Sequence, residues 1–412
     1  MSDLATAAPA FRDSVTPTPR RRRLGVGTLV RVALVAVVAI LPLYGANDLL
    51  QTGLFAMGAV VAAIGLTVLV GAAGQLSLAH AFFLAVGAYS YAYLAGTSGV
   101  AAAGAADGLG LPPLLSAVLA VAAAGVAGLI FSPIASRLRG IYLGVASLAL
   151  VAIGSYVYDN FGTLTGGTNG RALADFSVPG FSFGPDSPIL VVAGVEFHRY
   201  EKLWELFLVL TVLAYVFAQN ILRGRMGRAM QTMRDSEVAA AVMGVDVRRT
   251  KAGAFVLSSM YAGLGGVMIG LAFTRVTPEY FILPLSISYL AMVVIGGLGS
   301  VGGAALGATI VTVLPFLLQK YSDQLPFVAM PGSSGYDPGK IAALLYGAAV
   351  IAVVMFEPGG LNALGKRLTG RRPQRALDPV PDGSTSTPPP DPHSSNDSPA
   401  PARTPTAQED TA

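Results

Sequence analysis

The chain has 412 residues, of which 53% are hydrophobic and 12% charged, about half the charged share of an ordinary soluble domain, so a soluble globular protein is excluded. Its net charge of +4 comes from Lys and Arg clustered beside apolar blocks, which orients a chain in a bilayer and does not mark a nucleic-acid partner. Without a cysteine there is no disulfide and no thiolate metal site, and three scattered histidines give no ligand cluster.

In chain order, residues 1–23 form a disordered, basic N-terminal segment that ends in Arg20–Arg23. A signal peptide is the competing reading of the apolar run that follows, but Arg31 lies inside that run and no small-x-small cleavage site follows it. Residues 24–370 read as one transmembrane domain built of apolar blocks of about 17–25 residues, each long enough to cross about 30 Å of hydrocarbon. The predicted spans are 27–45, 50–71, 76–96, 112–133, 140–158, 203–222, 251–273, 281–298, 301–319 and 340–356. The expected fold is all-α: a polytopic integral membrane protein of about ten transmembrane helices with disordered termini. Residues 371–412, rich in Pro, Ser and Thr, cannot bury a core and form a solvated tail. Basic residues set the orientation. Arg20–Arg23, Arg137 with Arg139, the stretch 223–251, and Lys366 through Arg372 fall on the cytoplasmic face of the plasma membrane, so both termini are cytoplasmic and 159–202 lies outside.

Several chemistries are missing. The nearest approach to a phosphate-binding loop, "GYDPGKI" (335–341), is one residue short and lacks the hydroxyl that would hold magnesium. No nucleophile elbow, His-Glu-x-x-His helix or pair of intramembrane carboxylates occurs. The spans hold almost no ionisable groups beyond Arg31 and His80, which argues against a proton- or sodium-coupled carrier and suits a neutral or zwitterionic solute. No catalytic residue, cofactor or metal is expected.

Two glycine-rich connectors, "GAAGQLSLAHAFFLAVGA" (71–88) and "IGGLGSVGGAALGA" (295–308), mark either tight helix packing or a transport path, and together a weak internal repeat. Gln75, Ser77 and His80 in the first either line a path or gate or serve as hydrogen-bonded packing residues. The outer stretch "LTGGTNGR" (164–171) is a tight turn or part of a gate. "MRDSEVAAAVMGVDVRRTK" (233–251) predicts a surface helix too short to span: Asp235 or Ser236 caps it, Glu237 favours its dipole, and Gly244 suits its left-handed end. Its alanines leave room for another protein to approach, or it rests on the headgroups as an amphipathic linker.

These motifs, with "LRGIYLGVASLAL" (138–150), "LTGGTNG" (164–170), "GRAMQTMRDSEVAAAVMGVDVRRTKAGAFVLSSMYAGLGG" (227–266) and "FEPGGL" (356–361), resemble the LivM-type permeases of branched-chain amino acid ABC importers, in family order over about 290 residues. The resemblance implies that residues 223–251 are a loop coupling the chain to an ATPase, with Ala239, Ala240 and Gly244 matching the family's Ala-Ala-x-x-x-Gly element. One departure is that Val238 stands where the general importer pattern has Glu, with Glu237 one place earlier. The resemblance also implies partners: two ABC ATPase subunits, a second homologous permease and an extracytoplasmic solute-binding protein, all at the lipid bilayer and with no nucleic acid. The solute implied is Leu, Ile or Val; urea or a short amide is the alternative within the family, and a secondary carrier or a passive channel outside it.

Overall fold

The computed structural model describes residues 26–44, 46–96, 108–138, 140–184, 190–192, 195–321 and 338–356. The segments read as disordered, 1–23 and 371–412, lie outside the described residues, as do Arg139, "EPGGL" and the basic residues 366–372. Each of the ten predicted spans overlaps a helix. These are α1 (Val26–Ile40), α2 (Asn47–Leu66, continued by a π-helical turn to Ala72), α3 (His80–Ala95), α4 (Pro113–Arg137) and α5 (Ile141–Asn160). After the four-residue α6 (Gly162–Thr165) come α7 (Arg199–Arg223), then α8 (Arg225–Asp235) and α9 (Glu237–Val242) in the charged stretch. The last four are α10 (Val247–Phe273), α11 (Leu283–Gly296), α12 (Val301–Lys320) and α13 (Pro338–Phe356).

Six of the described helices are long and apolar enough to cross a bilayer: α2 with its π turn, α4, α5, α7, α10 and α12. α1, α3 and α11 are shorter than predicted, at 15, 16 and 14 residues, or about 23, 24 and 21 Å. The all-α expectation also needs an addition. The connections α5–α7 and α10–α11 carry three two-stranded antiparallel ribbons: β1 (Arg171–Ala172) pairs with β6 (Arg275–Val276), β2 (Ser177–Val178) with β3 (Phe181–Ser182), and β4 (Leu190–Val192) with β5 (Val195–Phe197).

Small residues set the centre of the bundle. α2 and α10 run antiparallel, with Gly58 facing Gly265 and Ile269, and Gly65 facing Ser258 and Tyr261. α4 lies antiparallel on the other side of α10, where Gly125 meets Met260 and Gly128 meets Ser259. A Cβ on Gly87 of α3 would strike the backbone of Gly263, and one on Gly266 would strike the Leu84 carbonyl. Only glycine permits these axes so close an approach. α7 packs on α2 through Trp204, whose indole N–H donates to the Val38 carbonyl of α1 at 2.9 Å. Large apolar side chains point away from the bundle on α4 and α5, among them Leu115, Val118, Ile130, Ile141, Val145 and Ile153. In water such faces would aggregate; they belong in lipid or against another membrane subunit.

Candidate functional site

The charged stretch folds by local rules. The Ser236 hydroxyl accepts from the Ala239 N–H at 3.2 Å and so caps α9. At the other end Val245 N–H donates to the Ala240 carbonyl and Gly244 N–H to the Ala241 carbonyl, with Gly244 at φ +82°. This is the Schellman closure that a glycine makes easy. α9 is six residues long, one turn and a half, and Asp246 then caps α10 by accepting from the Arg249 N–H at 3.0 Å.

The rotation of α9 about its own axis differs from what the alanines suggest. Ala240 is fully buried, in one apolar cluster with Val68, Leu69, Ala73, Met230, Met233 and Phe255. It packs α9 onto its own subunit and is no open surface. The outward face consists of Ala239, Ala241 and the larger Val238, Val242 and Met243, which are 71%, 84% and 66% exposed. Glu237 points inward at its carboxylate. Its Oε1 lies 2.7 Å from Nζ of Lys251, a side chain only 1% exposed. Lys251 was legible only as one more basic flank; the cue to its role is that it is the sole lysine among the arginines of 223–251.

Above α9 lies the first glycine connector. Residues 73–79 are not helical, and α3 begins beside Ala62 of α2 instead of beside Ala72: the His80 Nε2–H donates to the Ala62 carbonyl at 2.9 Å. The ring also meets Tyr289 of α11 edge-on, with centroids 5.0 Å apart. The N–H groups at the start of α3 find hydroxyls in place of carbonyls. Ser77 accepts from Ala79 N–H at 3.3 Å, Ser147 of α5 from Leu78 N–H at 2.8 Å, and Ser286 of α11 from Ala81 N–H at 2.9 Å. Ser147 and Ser286 were absent from the sequence-based set, because they lie 69 and 205 residues from their partners. Gln75 is buried and donates to the Ala73 carbonyl at 3.3 Å. Irregular backbone of this kind survives at membrane depth only when protein surrounds and satisfies it. The two sets of residues expected from the sequence are thus neighbours: Ala73 joins the connector to the cluster that holds Ala240.

At the C-terminal end of α3 Arg171 is buried and donates to the carbonyls of Ala92 at 3.1 Å and Leu164 at 3.3 Å. It ties the "LTGGTNGR" turn to the C-terminal end of α3, where the helix dipole favours a cation. Among the described residues no group of His, Asp or Glu is arranged to hold a metal ion.

A family model described as branched-chain amino acid transport system / permease component matches residues 49–354, from α2 into α13. The chain belongs to this permease family. It is similar to the high-affinity branched-chain amino acid transport system permease protein LivM of Escherichia coli K12, at 28% identity over 344 residues, 81% of this chain and 74% of that one. A probable LivM of Methanocaldococcus jannaschii is 24% identical over 257 residues, 60% of this chain and 67% of the relative. LivH of Escherichia coli K12 is 27% identical over 128 residues, 30% of this chain and 41% of LivH. No solved structure matches the permease. It is a multi-pass membrane protein, and the matched residues include the connector, α8 and α9.

Proposed function

We propose that this permease is the membrane-spanning subunit of an ATP-binding-cassette importer that carries Leu, Ile and Val across the plasma membrane. It works beside a second permease of the LivH kind, two ATPase subunits and an extracytoplasmic solute-binding protein. All ten long helices cross or enter the bilayer, and both termini are cytoplasmic. α9 is the helix on which an ATPase sits. The observation that carries this is the outward apolar row of Val238, Val242 and Met243 on a helix pinned from beneath by Glu237, Lys251 and Ala240. Such a helix offers a partner groove a fixed apolar ridge with little left to order on binding. Glu237, Ala240 and Gly244 then hold the ridge in shape, while Ala239 lies on it. Gln75, Ser77 and His80 belong to the gate as the groups that fix where α3 begins.

The test is Val242→Arg. Val242 is 84% exposed, so the change should leave folding within about 0.5 kcal/mol while placing a long cation where the ATPase must close in. Co-purification of the ATPase and uptake of labelled leucine should both fall at least about tenfold, whereas Val242→Ala should do much less. A Val242→Arg complex that assembles and transports leucine at the normal rate would refute the docking role. Accumulation of urea in place of leucine by the intact complex would refute the solute.

A further inference from the structure

α8 ends beside the place where the two glycine connectors touch. A Cβ on Gly71 would strike the backbone N and Cα of Gly299, so the end of α2 and the α11–α12 turn meet backbone to backbone. Onto this junction comes Arg234, from the last turn of α8. Its Nη1 donates to the Gly71 carbonyl at 2.8 Å, and its Nε and Nη2 reach Asp235 Oδ1 at 3.4 and 3.3 Å. The side chain lies in a notch kept open by Gly74, which is in left-handed conformation. An ideal Cβ on Gly74 (φ +66°) would come within 2.6 Å of Arg234 Cγ, whereas one on Gly299 (φ +81°) would only touch its Nη1 at an ordinary 3.9 Å. The π-helical turn ends at Ala72, and the Gly71 carbonyl at that end takes its donor from a cation of another element, which the helix dipole also favours.

We infer that Arg234 is the positioning residue that carries movement of the ATPase-docking segment into the membrane part. It reads the place of α8 and α9 and sets the end of α2, and with it residues 73–79, which decide where α3 begins, together with the Gly297–Ser300 turn that starts α12. The inference rests on α9 being the docking helix. Docking itself uses Val238, Val242 and Met243, so loss of Arg234 leaves the ridge intact and removes its link to the connectors. Uncoupling, not dissociation, is the consequence.

The experiment uses the full complex in proteoliposomes, with ATP hydrolysis and labelled leucine uptake measured in the same vesicles. Arg234→Ala should keep the ATPase bound and hydrolysis within about twofold, while leucine moved per ATP falls about tenfold or more, in line with loss of a charge-assisted hydrogen bond. Arg234→Lys, which keeps one cationic donor, should restore part of that ratio. Gly74→Ala keeps the guanidinium but drives a Cβ against Arg234 Cγ, which pushes the side chain off the Gly71 carbonyl, and should reproduce the Arg234→Ala defect. A normal ratio in Arg234→Ala overturns the inference. So does a loss of uptake that merely follows loss of bound ATPase, for then Arg234 only holds the docking face together. If the unaltered complex shows no ATP-driven leucine uptake, it is the importer reading that fails.

Discussion

Glu237→Ala asks how firmly α9 is held. The pair it breaks joins a carboxylate oxygen to an ammonium 2.7 Å away, with Lys251 1% and Glu237 22% exposed. A charge-assisted hydrogen bond contributes about 1.5–3 kcal/mol net, and leaving one charge of a fully buried pair alone costs about 3–5 kcal/mol. Because the charge left behind is that of Lys251, 1% exposed and unable to reach water, the higher range applies, and about 3 kcal/mol is expected. That corresponds to a roughly 150-fold rise in the open population of α9. Hydrogen exchange of the amides from Ala239 to Val245 reads it directly, with the buried middle of α10 as the internal control. Lys251→Met should cost less, since Glu237 is 22% exposed and its carboxylate can reach solvent, whereas the Lys251 ammonium cannot. The double variant should resemble Lys251→Met. Exchange in Glu237→Ala that stays within about twofold of the unaltered protein would show that packing of Ala240, not charge, fixes the helix.

Gly244→Ala should cost α9 about 1 kcal/mol, and Gly244→Asn less, because no atom lies within 4 Å of the missing Cβ and the whole penalty is its positive φ; the same exchange measurement reads both. Gly266→Val should lower thermal stability in detergent by about 2–3 kcal/mol and reduce membrane abundance, since its Cβ meets the Leu84 backbone; a variant as stable as the parent would mean that α3 and α10 can part without cost. Single cysteines at Val242 and Ser182 should label from opposite faces of the membrane, and labelling of both from one side would remove the proposed topology. Arg171→Ala should loosen the 164–171 turn and the end of α3, seen as faster exchange at 164–172 with α9 unchanged.

Short-range features were legible. The apolar blocks gave the membrane class because crossing a bilayer needs a minimum length of greasy helix, and each predicted span overlaps a helix. Ser236, Glu237 and Gly244 announced α9 because a cap and its target lie within one or two turns of each other. Glycine at 71, 74 and 299 was visible as a pattern, though not as a point of contact.

Tertiary structure decided which side of α9 faces out, where α3 begins and what Arg234 touches. Ala240 and Val242 both read as apolar positions in sequence; in the fold Ala240 is buried and Val242 is 84% exposed, with the Glu237–Lys251 pair beneath the helix. Residues 76–79 continue an apolar run, yet helix starts only at His80, because Ser147 and Ser286 supply acceptors that a longer helix would have drawn from its own carbonyls. Arg234 and Gly71 are separated by 163 residues. A hydrogen bond between neighbours in the chain leaves a spacing to be read, whereas one between distant elements leaves none, and its partner is chosen only when the helices pack.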